Sequence, residues 1–542
     1  MNRFFIKTKN LVLSKQKTII SSALIVSSTI ILSRLFGFLR YRTLSGYFTK
    51  GELDIFFASF RIPDVIFEIF ITGALTSSFV PIFIKYQESK EKLKENISSI
   101  INIITLISLV FVLILFIFAD KLIPLITPGF AGDKINQVIY YSRILLVGQL
   151  PFLVMGGFLT GIGQANKTFI IASLAPVLYN LAIIVATILF SNQMHLFAPV
   201  FGVVIGSLIL FLVQLPLLFT SDFVYKPIFR ITKGLKEFFR MSIPRIITVI
   251  TGQIDATVDL LLTSLLGTGS YTIFYLAQHL QLLPVSVIGI SIGQASLPYL
   301  SELYQEKKID EFRKTISDSI LSILFLTIPI MSFFIFARTP VVRLFFGGEK
   351  FDWDATVQTA ITLSYFSLAI PFHSIYYFIT RCFYAFFDSR TPFYISVLSI
   401  VINIFLSLFF IYGLKLPVWS LGLSFSISIF INVLILIFIL SNKLHGLHNR
   451  ILFTETFKIL ITTFITSFFV YEEMKILDGL IFDTTRTINV LFLLLTAGFS
   501  YLFLYIFLSW ILNIREISVL KRFLLKAKAY RRRVVEIYTD IE

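Results

Sequence analysis

The chain has 542 residues, of which 56% are hydrophobic and 14% are charged. This composition, with a mean hydropathy of +0.86, excludes a soluble fold and indicates an all-α polytopic membrane protein. The net charge of +16 does not point to nucleic acid, because most basic residues lie in short segments between apolar runs, where they set membrane topology.

Fourteen apolar stretches are long enough to cross the hydrocarbon core as helices, which takes about 20 residues. These predicted spans 1 to 14 cover residues 18–47, 53–84, 97–119, 138–163, 169–190, 196–219, 239–266, 271–300, 316–337, 357–386, 393–414, 417–441, 453–472 and 487–513. The first span follows a basic segment and lacks a small-residue cleavage site. We therefore interpret it as a retained helix and not as a signal peptide.

Loop charge predicts the orientation of the chain. An even number of spans puts both termini on one side, and that side carries 30 of the 47 Lys and Arg residues, so it is predicted to be cytoplasmic. Between Lys521 and Arg533 the tail combines basic residues with apolar residues at helical spacing. This pattern is typical of an interfacial helix that contacts anionic lipid, with a specific partner site as the alternative.

An internal repeat divides the sequence. Four residues recur at a constant offset of 220: Pro151, Phe152, Thr160 and Ala165 correspond to Pro371, Phe372, Thr380 and Ala385. We predict two six-helix lobes, residues 1–222 and 223–442, followed by two extra carboxyl-terminal helices in 443–514 and a basic cytoplasmic tail in 515–542. Parallel repeats of this kind enclose a site between them, and rocking of the lobes gives alternating access. The two extra helices are expected to form a groove outside the repeat.

Charged residues interrupt the first span. An ionised side chain near the middle of a membrane helix costs about 2.5 to 3.5 kcal/mol, so such residues usually face a wet or protein-lined cavity. Arg34 and Arg40 are therefore predicted to line a cavity for an anion, since a guanidinium group is always charged and binds phosphate bidentately. Arg42 lies near the outer boundary, where it can snorkel to the membrane surface.

The second span carries a charged stripe. Asp54, Arg61 and Glu68 fall on one face of an ideal helix, with Asp64 beside them. Opposite charges at these spacings can pair, and the stripe must face protein or water. Pro63 lies amid the stripe and is predicted to kink the helix.

The second lobe offers a weaker polar cluster. Asp255 and Asp259 lie four residues apart in span 7, and Asn403 and Ser407 lie four apart in span 11. Oxygen ligands of this kind suit a hard cation such as sodium, although a buried hydrogen-bond network fits the same residues. His279 can titrate near neutrality, with a satisfied interior histidine as the alternative.

Catalytic patterns are not supported. Gly289 to Gly293 spells the nucleophile elbow, but it lies inside an apolar helix without an acid and histidine partner. Gly161 to Thr168 nearly spells a phosphate loop, but Asn166 replaces the required glycine. Cys382 is the only cysteine, which leaves no intrachain disulfide and no cysteine metal cluster. We predict a protein that is not an enzyme and holds no cofactor.

Several segments resemble one family of membrane proteins. They are Ser33-Arg-Leu-Phe-Gly-Phe-Leu-Arg40, Asp54-Ile-Phe-Phe-Ala-Ser-Phe-Arg-Ile-Pro63, Gly73-Ala74 with Ser78-Phe-Val-Pro81, and Thr127-Pro-Gly-Phe130. Together they resemble the lipid II flippase family (MurJ, also called MviN) of the multidrug, oligosaccharidyl-lipid and polysaccharide exporter superfamily. The resemblance implies two six-helix lobes plus two helices, and transport of lipid-linked peptidoglycan precursor to the outer leaflet of the bacterial cytoplasmic membrane by alternating access.

The resemblance also implies roles for individual residues. Arg34, Arg40 and Asp54 correspond to the family's functional residues in its first two helices, and a cation site of some members maps to Asp259 and Asn403. We add Arg61, His279 and, for the cation, Asp255 from the residue patterns above. The expected substrate carries undecaprenyl diphosphate, and the expected driving force is sodium, protons or the membrane potential. Wall-synthesis enzymes are conceivable partners.

The chain departs from the family pattern at several positions. Many members have paired basic residues at Phe67 and Glu68, arginine at His279, and acids at Leu282 and Ser407. The anion pocket is thus less basic than usual, so either Arg61, His279 and a different geometry compensate, or the lipid-linked cargo differs from lipid II. Alternatives are an exporter of another lipid-linked oligosaccharide, a cation-coupled multidrug exporter, and a non-transporting scaffold for wall synthesis.

Overall fold

A computed structural model describes residues 19–220, 223–447 and 449–517. Within these ranges the regular elements are helices, and the prediction of an all-α polytopic protein is confirmed. The predictions for the basic amino-terminal segment and for the tail segment from Lys521 to Arg533 concern residues outside these ranges.

The helices follow the predicted spans in order. Spans 1 and 2 contain α1 (Ile19–Tyr47), α2 (Lys50–Ser59), α3 (Arg61–Phe67), the π-helix π1 (Glu68–Phe79) and α4 (Val80–Tyr86). Next come α5 (Lys90–Ile126), α6 (Asp133–Gly148), α7 (Leu150–Ala165), α8 (Phe169–Met194), α9 (Phe197–Gln214) and a 3-10 helix, Leu215–Thr220. They are followed by α10 (Lys233–Leu265), α11 (Ser270–Pro284), π2 (Val285–Ile290), α12 (Ser291–Gln305), α13 (Ile309–Phe336) and α14 (Arg338–Phe346). The last are α15 (Trp353–Ser367), α16 (Ile370–Ala385), α17 (Arg390–Leu408), π3 (Phe409–Gly413), α18 (Trp419–Lys443), α19 (Asn449–Leu480) and α20 (Thr487–Ile511).

Eleven helices in the described part of the chain are long and apolar enough to cross a membrane, and a pair bent by 44°, α15 with α16, makes a twelfth. The two remaining predicted spans fall on α1, which carries three arginines, and on the broken helix from α2 to α4. The predicted number of fourteen is compatible with this count and stays a prediction.

Packing groups the described residues into two units. Unit 1 runs to Ile273 and also contains Phe345–Ala355, and unit 2 contains Phe274–Leu344 and the residues from Thr356 onward. In unit 1, α1 and α9 pack against α8, and π1 packs against α10. In unit 2, α13 packs against α19, and α19 packs against α20. The division into lobes, extra helices and tail stays a prediction.

The repeat is visible in local structure. α7 and α16 both have 16 residues, and each begins one residue before a proline, Pro151 and Pro371. Proline is tolerated there because the first amides of a helix have no intrahelical partner. The two helices keep the offset of 220 along their whole length, which supports the internal repeat.

The segment between α9 and α10, residues 223–232, is named the linker segment. Three polar side chains of α5 fasten it and the start of α10 in antiparallel order: Asn96 Oδ1 accepts from Gly234 N at 2.7 Å, Ser99 Oγ donates to Arg230 O at 2.6 Å, and Asn102 Nδ2 donates to Ile228 O at 3.0 Å. Each bond contributes about 0.5 to 1.5 kcal/mol net. The linker segment therefore has a fixed path although it is neither helix nor strand.

Candidate functional site

Span 2 is broken where its charges lie. α2 ends at Ser59, α3 begins at Arg61, and Pro63 is the third residue of α3, where a missing amide proton costs no helical hydrogen bond. The kink predicted at Pro63 is thus an interruption at Phe60. The chain then continues as π1, a π-helix of 12 residues. π-Helical turns often occur at functional sites because they displace the side chains that follow.

Asp54 is fully buried, and both of its carboxylate oxygens accept hydrogen bonds from other residues of the chain. Its Oδ2 accepts from Lys134 Nζ at 2.8 Å and from Gly269 N at 2.6 Å. Its Oδ1 accepts from Thr272 N at 2.8 Å and from Thr272 Oγ1 at 2.9 Å. The carboxylate thus caps the amino terminus of α11 and joins α2 to α6 and α11, a favourable place for negative charge. Its predicted role in substrate binding stays a prediction.

Arg61 is buried and binds α10. Its Nε donates to Thr257 Oγ1 at 3.1 Å, and its Nη2 donates to Gln253 O at 3.0 Å and to the side-chain oxygen of Gln253. The partners of Asp54 and Arg61 thus come from other helices, and not from the charged stripe of span 2 alone. Lys134, Gln253 and Thr257 were not identified from the sequence, since no periodic pattern marks them.

Several charges share one region of unit 1. Arg61, Glu68 and Arg40 lie close enough to Asp64 to interact with it electrostatically, and Arg40 and Asp64 also act on Tyr179. The structure therefore brings two of the predicted arginines, Arg40 and Arg61, into a network that crosses α1, α3 and α8.

The arginines of α1 differ in their surroundings. Arg40 is half-buried, and its guanidinium carbon lies 4.6 Å from the centroid of the Tyr41 ring, a cation–π contact. Arg34, nearly two turns earlier, is exposed. Arg42 is half-buried and lines a separate cavity with residues of α8.

His279 lies in unit 2, on α11. Its ring lies against the Tyr275 ring at a centroid distance of 4.0 Å and a tilt of 34°, and its Nδ1 lies 2.8 Å from Tyr275 O. Because a carbonyl oxygen only accepts, Nδ1 carries the proton in this contact. Its role in substrate binding stays a prediction.

The residues predicted to hold a cation lie in both units. In unit 1, Asp259 is buried and interacts electrostatically with Asp255 and Arg61. In unit 2, Asn403 is buried, and Ser407 Oγ lies 2.7 Å from Ser424 Oγ. Because Ser424 Oγ donates to Leu421 O, Ser407 is the donor in this bond. Within the described residues, no three His, Cys, Asp or Glu side chains cluster as a metal site. The sodium site stays a prediction.

An apolar groove lies within unit 2. It has a volume of about 520 Å³, and its walls are α13 and α20, including Phe325, Phe333, Tyr501 and Tyr505. Tyr505 OH donates to Phe325 O at 2.9 Å, which leaves the ring faces to line the groove. The sequence predicted a groove at the two extra helices, spans 13 and 14. The groove in the structure is formed by α20, which is span 14, and by α13, predicted span 9, and its lining residues include none of α19, which is span 13.

Comparisons with known proteins agree with one another. A family model described as "Lipid II flippase MurJ" matches residues 47–516. A Borreliella burgdorferi protein named "Probable lipid II flippase MurJ" is 29% identical over 515 residues, which are 92% of this chain and 98% of the relative. "Lipid II flippase MurJ" of Thermosipho africanus is 28% identical over 424 residues, which are 78% of this chain and 86% of the relative.

Solved structures give the same result. The fold matches "Lipid II flippase MurJ, inward closed conformation" with a TM-score of 0.75 at 26% identity, covering 90% of this chain and 100% of that one. An inward-facing multidrug resistance transporter of the MATE family matches with a TM-score of 0.65 at 14% identity, covering 76% of this chain and 96% of that one. The second likeness concerns the fold alone.

Proposed function

Because the chain belongs to the MurJ lipid II flippase family, we propose that it moves lipid II across the bacterial cytoplasmic membrane, from the inner to the outer leaflet, by alternating access. The observation that carries this proposal is the extent of the family match, from residue 47 to residue 516, which includes predicted spans 2 to 14. The cargo is a peptidoglycan precursor joined to undecaprenyl diphosphate. The protein acts as a transporter, and its work requires no covalent step.

Arg40 is the residue best placed to hold the diphosphate. It is half-buried, its charge reaches Asp64 and Tyr179, and its guanidinium packs against Tyr41. A guanidinium fork matches two phosphate oxygens, which an ammonium group does not. Arg34 supplies a second contact, reached through its exposed side chain.

Arg61 and Asp54 hold the site in shape. Arg61 fastens α3 to α10 through Gln253 and Thr257, and Asp54 fastens α2 to α6 and to the start of α11. Both therefore act as positioning residues for the arginines of α1. Because unit 1 keeps these charges inside, a bound diphosphate meets groups that are already ordered, which lowers the entropic cost of binding.

The groove between α13 and α20 suits the polyprenyl tail. A tail of this kind is apolar, and the groove is lined by aromatic and aliphatic side chains such as Phe325, Phe333 and Leu502. We expect the tail to stay in the groove and the surrounding lipid while the headgroup crosses through the lobes. The tail then never leaves an apolar environment, so its transfer adds no hydration cost.

The membrane potential is the expected driving force for reopening. One charge crossing 100 mV is worth about 2.3 kcal/mol, so no nucleotide is required. Sodium or proton coupling through Asp255 and Asp259 is a second expectation.

Orientation and partners follow from charge. We propose that both termini are cytoplasmic, since 30 of the 47 Lys and Arg residues are on that side in the predicted topology. The basic tail, residues 515–542, is expected to lie on anionic lipid and is the segment through which wall-synthesis enzymes would bind. Deleting residues 521–542 tests this, because the strong form of the partner hypothesis requires that flipping is lost.

A leaflet-accessibility assay tests the proposed function. Cells depleted of their own flippase express the chain, and the fraction of lipid-linked precursor exposed on the outer leaflet is measured together with protein abundance. Arg40→Ala should reduce the exposed fraction at least about tenfold, because a charge-assisted contact contributes about 1.5 to 3 kcal/mol. The exposed fraction for Arg40→Lys should lie between those of the wild type and Arg40→Ala, because lysine keeps the positive charge but cannot bind two phosphate oxygens as the guanidinium group does.

Arg390→Ala is the matched control, because Arg390 is exposed at the start of α17 and should leave flipping unchanged. If the double variant Arg34→Ala with Arg40→Ala flips at the wild-type rate, the anion pocket is wrong. If the wild-type chain fails to rescue but protects cells from cationic drugs, the multidrug alternative replaces the proposal.

A further inference from the structure

Five charged side chains of unit 2 lie together near the ends of three helices. The acids are Asp318 on α13, Glu455 on α19 and Glu516, five residues after the end of α20. The bases are Lys458 on α19 and Arg515. We name these five residues the inner cluster, because the proposed topology puts them on the cytoplasmic side. None of them has a role in the site described for unit 1.

The two bases of the inner cluster already have acidic partners. Lys458 Nζ lies 2.8 Å from Glu455 Oε1, and Arg515 Nη2 lies 3.1 Å from Asp318 Oδ1. Glu455 Oε2 also accepts from the backbone amide of Arg515 at 3.2 Å. Three ionised acids and two bases would leave one negative charge in excess. Because the bases pair with Asp318 and Glu455, this excess charge falls on Glu516.

Glu516 is poorly placed to carry a charge. The residue is only 4% exposed, and within the described part of the chain its Oε2 is buried and makes no hydrogen bond. A buried carboxylate without a partner usually takes up a proton instead of keeping its charge. A protonated carboxyl group needs no cation beside it, and its O–H can donate a hydrogen bond.

The surroundings of Glu516 also favour the neutral form. Burial raises the pKa of this carboxyl above its ordinary value of 4.5, and the negative charges of Glu455 and Asp318 raise it further. The bond from its own amide and the charge of Arg515 lower the pKa, but they do not cancel this effect. Glu516 also follows the carboxyl end of α20, which is the negative end of the helix dipole.

The inner cluster is linked to the apolar groove of unit 2. Charge on Glu516 acts on Tyr505 of α20, whose side chain lines the groove. The hydroxyl of Tyr505 donates to Phe325 O of α13, the other wall of the groove. A change of charge at Glu516 is therefore felt where α13 and α20 pack against each other.

We propose that Glu516 is a proton-binding site whose occupancy sets how tightly the carboxyl end of α20 packs against α13 and α19. With the proton bound, the inner cluster is neutral overall, and Glu516 stays buried. When the proton leaves, repulsion from Glu455 and Asp318 loosens the segment that follows α20, and Arg515 offsets only part of it. The inference rests on the proposed function for its orientation only, which makes the cytoplasm the source of the proton.

Infrared spectroscopy of the purified full-length protein tests for the proton directly. A protonated carboxylic acid has a carbonyl stretching band that an ionised carboxylate lacks. The band is titrated with pH in the wild type and in Glu516→Gln, which keeps the shape of the side chain but does not ionise. We expect the variant to lack one component of the band. In the wild type, that component should disappear with a midpoint above pH 4.5, the ordinary value for this group.

Thermal unfolding gives a second readout, and its sign follows from linkage. Because the pKa of Glu516 is raised in the folded state, the stability due to its neutral form is fully present below about pH 4.5. This stability is lost as the pH rises through the folded-state pKa. The Tm of Glu516→Gln relative to the wild type should therefore increase as the pH rises above about 4.5.

A second variant and a matched control identify the cause. Glu455→Gln removes a negative charge near Glu516 but keeps an oxygen for the amide of Arg515, so it should move the midpoint of the Glu516 band to lower pH. Glu302→Gln is the control, because Glu302 is an exposed carboxyl on the same proposed side of the membrane. It should leave both readouts as they are in the wild type.

Three results would overturn the proposal: an unchanged band in Glu516→Gln, a midpoint at or below pH 4.5, or a Tm difference that does not vary with pH. If Glu516→Gln yields no folded protein, the comparison of the wild type with Glu455→Gln decides, and identical midpoints in the two overturn the proposal. Neither readout involves transport. The proton site can therefore fail while the proposed function stands, and a chain that does not flip lipid would still show both readouts.

Discussion

Replacing Asp54 with asparagine should destabilise unit 1. The carboxylate is fully buried and accepts from Lys134, Gly269 and Thr272. An asparagine side chain would keep one acceptor oxygen, but its amide hydrogens would face groups that themselves donate. Lys134 would lose its counter-charge. It would stay in place, because its amine lies 3.8 Å from the centroid of the Phe130 ring.

The size of the effect follows from this burial. Removing one partner of a buried ion pair costs about 3 to 5 kcal/mol, because the other charge is left uncompensated. The Lys134 side chain is 18% exposed, so water relieves part of this cost and the lower figure of about 3 kcal/mol applies. Unfolding entropy is about 2.1 cal/mol/K per residue, or about 0.6 kcal/mol/K for the roughly 280 residues of unit 1. The apparent Tm should therefore fall by about 5 °C.

Thermal unfolding of the purified protein, followed by size-exclusion chromatography with fluorescence detection, measures this shift. The control is Asp120→Asn, because Asp120 is 60% exposed and its pair with Arg143 should contribute less than about 1 kcal/mol. In the double variant, Lys134→Met should restore part of the stability lost with Asp54→Asn, since no buried charge is left alone. A fall of less than about 1 °C, or strictly additive losses, would refute the reasoning.

Three further predictions concern other parts of the fold. Gly498→Phe should slow flipping by filling the groove of α20, where a Cβ would meet open space, as measured by leaflet accessibility. Desolvation raises the pKa of Asp388, but bonds from Lys443 and a threonine outweigh it and lower the pKa to about 2. This stabilisation should be fully present above about pH 5 and should be lost as the pH falls through the folded-state pKa of about 2, so the Tm difference from Lys443→Met should close between about pH 5 and pH 1. Gly129→Ala should abolish folded protein, seen as lost abundance, because its Cβ would lie 2.0 Å from Ser264 O.

Each of these predictions has its own control. Gly479→Phe changes a helical glycine outside the groove and should flip normally. Lys443→Arg keeps a cation beside Asp388 and should keep the wild-type dependence on pH. Gly252→Ala adds a Cβ that meets no atom within 4 Å and should express normally. Equal effects in a variant and its control would count against the corresponding contact.

Apolar length predicted most helices well. Span 14 was predicted at 487–513, and α20 is Thr487–Ile511. The two agree closely because the length of an apolar stretch matches the thickness of the hydrocarbon core that a helix must cross. Span 3 was placed at 97–119, whereas α5 is Lys90–Ile126. The helix extends beyond its apolar stretch because backbone hydrogen bonds continue where polar side chains reach water.

The contacts of the charged residues were harder to predict. The helical stripe correctly placed Arg61 and Asp54 in the interior, but periodicity states which face a side chain occupies, not which helix covers that face. Gln253 and Gly269, which bind them, lie about 200 residues later in the chain. The sequence motif identified Arg34 and Arg40 as candidate site residues. That Arg34 is exposed and Arg40 is half-buried depends on helix packing, which no local sequence pattern encodes.

The way residues 223–232 are fastened has a consequence for engineering. Their positions are dictated by Asn96, Ser99 and Asn102, whose order on α5 runs opposite to that of their partners. Insertion or deletion of a single amino acid here would shift the residues on one side of the change out of register with their partners on α5, so this segment tolerates a change of length less well than an unbonded loop. Reporter domains or protease sites inserted into this segment would therefore disturb the packing of unit 1, which contains both α5 and α10.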